Sequence, residues 1–252
     1  MIYREYLVMR KALAWYAVIL LALMLLQLVT MRRADATISF GDVVFTYGVF
    51  AALFAWIFGV ALGNGSRKAA RVLWVLPAER WKLALQLFGV DLAGVTVAFA
   101  CQFAIMLIFI ALAGLRVNVG IPISAQANEI VLMLAFVYAT YGWSTLVGMV
   151  LRRVPYCALV SAPALAIWMT LAESHSPVGA MLRAPIVVNP IATFNTFIAL
   201  DSYRQSHAGL DAVSTSLLWL GTAWETPVLL GIALVTCAAA LALWQRAQTI
   251  SA

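Results

Sequence analysis

Residues 92–115 read LAGVTVAFACQFAIMLIFIALAGL, an apolar run without a charged side chain. A helix rises about 1.5 Å per residue and the hydrocarbon core of a bilayer is about 30 Å thick, so this run is long enough to cross. Inside hydrocarbon each backbone N–H and C=O must find its partner within the chain, and a single helix satisfies that demand. Five further runs read the same way: 12–30, 43–62, 130–151, 154–172 and 227–244. The whole composition agrees, with 65% hydrophobic and 10% charged residues and a mean hydropathy of +0.98. Soluble domains are about half apolar and a quarter charged. The expected fold is an all-α integral membrane protein with six transmembrane helices, residues 1–252 forming one transmembrane domain.

The net charge of +6 is spread in short clusters between apolar runs, without the continuous basic face that nucleic acid requires. It reads as topology instead, because loops retained in the cytoplasm keep Lys and Arg. With the amino terminus inside, that side holds Arg4, Arg10, Lys11, Arg67, Lys68, Arg71, Arg80, Lys82, Arg152, Arg153 and Arg246. The opposite side holds Arg32, Arg33, Arg116, Arg183 and Arg204. The imbalance places both termini in the cytoplasm, which requires an even number of spans. The first run meets Arg32 and Arg33 rather than a small-residue cleavage site, so it reads as a retained helix and not a signal peptide. Cys101, Cys157 and Cys237 all fall in apolar runs with no ligand-like spacing, which assigns them to packing.

Two segments depart from the pattern of span and short loop. Residues 1–11 are too polar to cross, yet a helix there sets Ile2, Tyr6 and Met9 near one side, which predicts an interfacial helix leading into span one. A frayed basic terminus that only sets topology is the alternative. Between spans five and six, residues 186–200 are mostly apolar but interrupted by Asn189, Pro190 and Asn195, too short to cross twice. A re-entrant or external helical segment packed against the bundle is expected there.

Catalytic chemistry is sparse. His175 and His207 are the two histidines, with neither HExxH nor GxSxG, and Gly63 to Lys68 resembles a phosphate cradle only in composition. The expectation is therefore no enzyme, no metal and no cofactor in this chain. The spans as drawn hold almost no ionisable residues, with Asp91 and Glu173 at boundaries, which disfavours ion-coupled transport. Ser144 and Gly148 on span four, Gly48 and Gly59 on span two, and Pro155 and Pro163 on span five read as close contacts and kinks. A pathway lined by Phe45, Phe54, Tyr138, Tyr141 and Thr145 would suit an amphipathic or apolar molecule.

The segment 63–86 is the most informative. Arg67, Lys68 and Arg71 precede Leu73 to Leu76, then Pro77 breaks the run and Ala78, Glu79, Arg80 and Lys82 restart it. A cytoplasmic helix, break and helix with basic flanks is a shape that a soluble partner could grip. The bland reading is that these charges only enforce topology.

Here the chain resembles the permease subunits of ABC transporters of the ABC-2 (type V exporter) class. The resemblance lies in Leu76, Pro77, Ala78, Glu79 and Arg80, close to that family's Leu-Pro-Val-Ser-Arg, with Glu79 in place of the serine and Gln86-Leu87 where Gly-Lys is common. It also lies in Asn189-Pro190 followed by Ile191 to Phe194, similar to the family's Asn-Pro-Leu-Thr stretch before the last span. The resemblance implies a coupling helix after span two, two ATP-binding cassette subunits that hold ATP and Mg, and a second permease, identical or homologous. It implies residence in the cell's inner (plasma) membrane, among lipids, without nucleic acid. The alternatives are a non-transporting structural or assembly factor, an ion-extruding permease of the same class, or a lipid enzyme using His175 or His207.

Overall fold

Long apolar runs become long helices. The computed structural model of the chain describes residues 2–31, 37–39, 48–61, 80–113, 116–118, 123–151, 154–196, 212–217 and 221–246. In order, these form α1 (Ile2–Met31), β1 (Thr37–Ser39), α2 (Gly48–Ala61), α3 (Arg80–Ala113), β2 (Arg116–Asn118), α4 (Ile123–Val150) and α5 (Val154–Glu173). After α5 come α6 (Pro177–Arg183), a 3-10 turn (Ile186–Val188), α7 (190–196), α8 (Ala212–Ser216) and α9 (Gly221–Arg246). Among the described residues three helices carry windows long and apolar enough to cross a membrane, Leu85–Leu112, Ala127–Val150 and Trp224–Trp244. Shorter apolar stretches occupy Gly48–Ala61 and Val160–Glu173. Large apolar side chains point outward, among them Trp15 and Ile19 on α1, Ile108 and Leu112 on α3, and Leu234 on α9. Water does not select such a surface and hydrocarbon does, which suggests a membrane-embedded chain.

The chain divides into two compact units, one of residues Met1–Phe54 and Pro77–Val137, the other of Ala55–Leu76 and Tyr138–Ala252. In the first, α1 lies along α3 in a register that ascends together. Gly94 leaves room for the Met9 thioether, the Tyr16 hydroxyl donates to Gln102 Oε1, and Met24 packs with Met106 and Phe109. The two helices are thus parallel. Beyond their carboxyl ends β1 and β2 pair in parallel, Thr37 with Arg116 and Ser39 with Asn118. Thr37 and Ile38 are β-branched and suit a strand. The polar link expected between spans one and two is in this part a strand.

The second unit holds residues 138–150 of α4, a helix whose apolar window is 61% buried against 33% for α3 and 28% for α9. Small residues bring its neighbours close. Gly59 of α2 faces Ser144 and Thr145, while Gly142 of α4 faces Thr236 and Cys237 of α9. Val60, Val147 and Cys157 bury together, joined by Trp56, Trp143 and Leu151, so α5 folds back antiparallel on α4. Within the second unit Gly59 of α2 meets Tyr141 and Ser144 of α4 while Val60 buries with Val147, so there α2 and α4 also ascend together.

Several expectations need correction. Residues 2–11 are helical as the opening of a longer element, since α1 runs unbroken through Lys11, and Met9 is 4% exposed. Arg10, Lys11, Ala12 and Leu13 are good helix formers, with no Gly or Pro to turn the chain. Pro155 makes no kink, because it sits in the first turn of α5, where its missing N–H has no intrahelical acceptor to lose. Pro227, where the last apolar run was expected to start, lies inside α9, which begins at Gly221.

Candidate functional site

The chain's return after α5 is built from two capped starts. Ser176 precedes Pro177, and its hydroxyl accepts from the Gly179 amide at 3.1 Å. Asn189 precedes Pro190, and its Oδ1 accepts from the amides of Ile191 at 3.0 Å and Ala192 at 3.3 Å. A capping side chain followed by proline at the first helical position is the arrangement that helix starts favour. Asn189 goes further. Its Nδ2 donates to the Leu165 carbonyl of α5 at 2.8 Å, and the side chain is fully buried.

The return is then sealed against α5. Ala172 of α5 buries with Ile186, Ala192, Val213 and Leu217, and Trp168 lies against this cluster with its indole N–H donating to Leu182 O at 3.1 Å. Phe194 and Pro190 are buried in the same return. Arg183 donates to the carbonyls of Ala172 at 3.2 Å and Ser174 at 3.4 Å, at the carboxyl end of α5. A cation there satisfies carbonyls that have no amide partner and opposes the helix dipole. Changing Arg183 to Met is expected to destabilise this end of α5 by about 1 kcal/mol. Faster amide exchange in residues 170–174 would show it, and unchanged exchange would refute the capping role.

The sequence-predicted pathway residues are placed as follows. Phe54 lies in the first unit, its ring centroid 4.5 Å from that of Tyr16 and the planes tilted by 39°. Tyr138, Tyr141 and Thr145 lie in the second unit on α4, Tyr138 half-buried and the other two fully enclosed. Thr145 meets Gly59, so it packs at the α2–α4 contact, where its hydroxyl finds no hydrogen-bond partner among the described residues. Phe45 lies outside the described residues, as do Arg67, Lys68, Arg71, Pro77, Ala78 and Glu79 of the coupling segment. Arg80 opens α3 and Lys82 is exposed in its first turn. His175 is exposed in the bend between α5 and α6, and His207 lies outside the described residues.

Sequence reasoning missed the buried polar groups. Asp91 is inside the apolar stretch of α3 and 5% exposed, and Glu225 is inside that of α9 and 1% exposed. The predicted boundaries at Leu92 and Pro227 had left both out. Helical spacing on α3 offered a signal: Asp91, Val95, Ala98, Gln102, Met106 and Phe109 recur every three or four residues and form one buried face. On that face Gln102 accepts from Tyr16, while its Nε2 is without a hydrogen-bond partner among the described residues.

Compared with protein-family models, curated proteins and solved structures, the chain finds no match.

Proposed function

We propose that this chain is the permease subunit of an ATP-driven exporter resembling the ABC-2 class. In this reading it crosses the inner (plasma) membrane six times with both termini in the cytoplasm and works beside a second permease and two ATPase subunits. The observation that carries the reading is the capped return at Asn189-Pro190, which stands after α5 and before α9 where the resembled family has its Asn-Pro stretch. The parallel pairs, α1 with α3 and α2 with α4, support it further, because alternate crossings of a membrane run in the same direction. The basic residues Arg80 and Lys82 open α3, as a cytoplasmic flank would. An exporter of this build would move a lipid-like or otherwise amphipathic cargo, for which an aromatic pair such as Tyr16 and Phe54 offers a suitable contact.

The test starts from partners. Tagged protein purified from native membranes should bring down an ATPase, and repeated failure to do so refutes the reading. Reversing both charges of the coupling segment, Glu79→Arg with Arg80→Glu, should weaken that assembly by about tenfold or more, since like charges brought face to face are strongly unfavourable. Membrane insertion should be unaffected. Labelling of a cysteine at position 79 from outside intact cells would overturn both contact and topology.

A second reading is favoured by Asp91 and Glu225. Buried carboxylates within apolar helices are costly and commonly serve ions or protons, so a cation is the alternative cargo. Sodium efflux from vesicles that survives in the parent and vanishes in Asp91→Asn or Glu225→Gln would decide for it.

A further inference from the structure

The bonds that tie α5 to its neighbours divide at Pro163. On the amino-terminal side, Cys157 is buried with Val60 of α2 and Val147 of α4. The Trp56 indole donates to the Ser161 hydroxyl, and the Trp143 indole to the Ser161 carbonyl at 3.3 Å. On the carboxyl side, Leu165 accepts from Asn189, Trp168 donates to Leu182, and Ala172 and Ser174 accept from Arg183. Ala172 is also buried among residues of the 3-10 turn, α7 and α8. Among the described residues one portion of α5 is therefore held by α2 and α4, and the other by the return segment, with Val228 of α9 packed against that second cluster.

Pro163 lies between these two sets of anchors and inside the helix. Proline has no N–H, so the ladder lacks the bond that would reach back to the Leu159 carbonyl, and the pyrrolidine ring crowds that turn. A helix missing one bond at a single turn, with each side fixed to a different partner, bends at that turn more readily than elsewhere. We propose that α5 is hinged at Pro163, so that residues 164–173 move with α6, α7 and α8 as one arm against the part held by α2 and α4. Asn189 is the first tie on the moving side, holding Leu165 two residues beyond the hinge. The device does not depend on what the chain transports, or on whether it transports.

Spin labels on the full-length protein in lipid nanodiscs test this, with Cys101, Cys157 and Cys237 changed to alanine. The exposed positions Tyr156 and Met181 span the hinge, while Ile167 and Met181 lie within the proposed arm. The Tyr156–Met181 distance should show a broad or divided distribution that collapses to one narrow population in Pro163→Ala. The Ile167–Met181 distance should be narrow in both. A spanning distance as narrow with proline as without it would overturn the hinge, and so would an Ile167–Met181 distance as broad as the spanning one. Hydrogen exchange on the unlabelled protein, which keeps its cysteines, is the second arm. Pro163→Ala should slow exchange at residues 164–167, and equal exchange in the two proteins would also overturn the proposal.

Discussion

Replacing Asn189 by alanine is expected to lower stability by about 2–4 kcal/mol, the sum of a lost helix cap and a lost buried hydrogen bond. The side chain serves three partners at once, the amides of Ile191 and Ala192 and the carbonyl of Leu165, from a fully buried position. Alanine leaves those two amides without their side-chain acceptor and opens a small void beside α5. Asn189→Ser keeps a capping oxygen but is too short to reach Leu165, so it should fall between parent and alanine variant. Unfolding in a mixed detergent titration measures the order. A parent and an alanine variant that differ by less than about 0.5 kcal/mol, the size of an ordinary surface substitution, would show that the cap is incidental.

The second large effect is expected at Gly59. A Cβ there would stand 2.9 Å from the Tyr141 carbonyl oxygen and 3.0 Å from Thr145 Oγ1, and nearer still to Ser144 Oγ. The hydroxyls could rotate away, but the backbone oxygen cannot. Gly59→Leu should therefore force α2 off α4 at a cost of about 3 kcal/mol, the upper end for overpacking. Gly231→Leu is the matched control, because its Cβ would meet nothing within 4 Å. Thermal unfolding and elution profiles in detergent should separate the two variants clearly. If they unfold alike, α2 and α4 do not make the close contact described.

Much of the helical framework was legible because its cause is local. A run such as 92–115 has to be helical in hydrocarbon whatever surrounds it; α5 and α9 contain the runs 154–172 and 227–244, and α3 and α4 hold 92–113 and 130–150 of the other two. Small residues were legible too, since Gly59 and Ser144 do meet across α2 and α4. Helix ends were harder. Proline at residue 227 signals a start only if the preceding turn cannot be helical, and here Gly221 to Thr226 is helical. Asp91 was misplaced for the same reason, as the sequence marks where hydropathy falls but not where a helix continues past that point. The return after α5 was anticipated from Asn189 and Pro190, while the second role of Asn189 was not. A donor bond to Leu165 depends on which helix lies opposite, and one sequence does not carry that information. Thr145 illustrates the same gap, for a hydroxyl on a span reads equally as a pathway contact or as packing against a glycine.

The parallel seam of the first unit has a consequence for biosynthesis. Its partners, Tyr16 with Gln102 and Thr37 with Arg116, are about eighty residues apart, which at typical synthesis speeds is roughly 4–16 seconds of elongation. Through that interval α1 exists without α3, and the Tyr16 hydroxyl has no Gln102 to accept its hydrogen bond. The first helix must therefore wait, and a ribosome paused between α1 and α3 would hold a nascent chain whose Tyr16 hydroxyl is still open to any other acceptor.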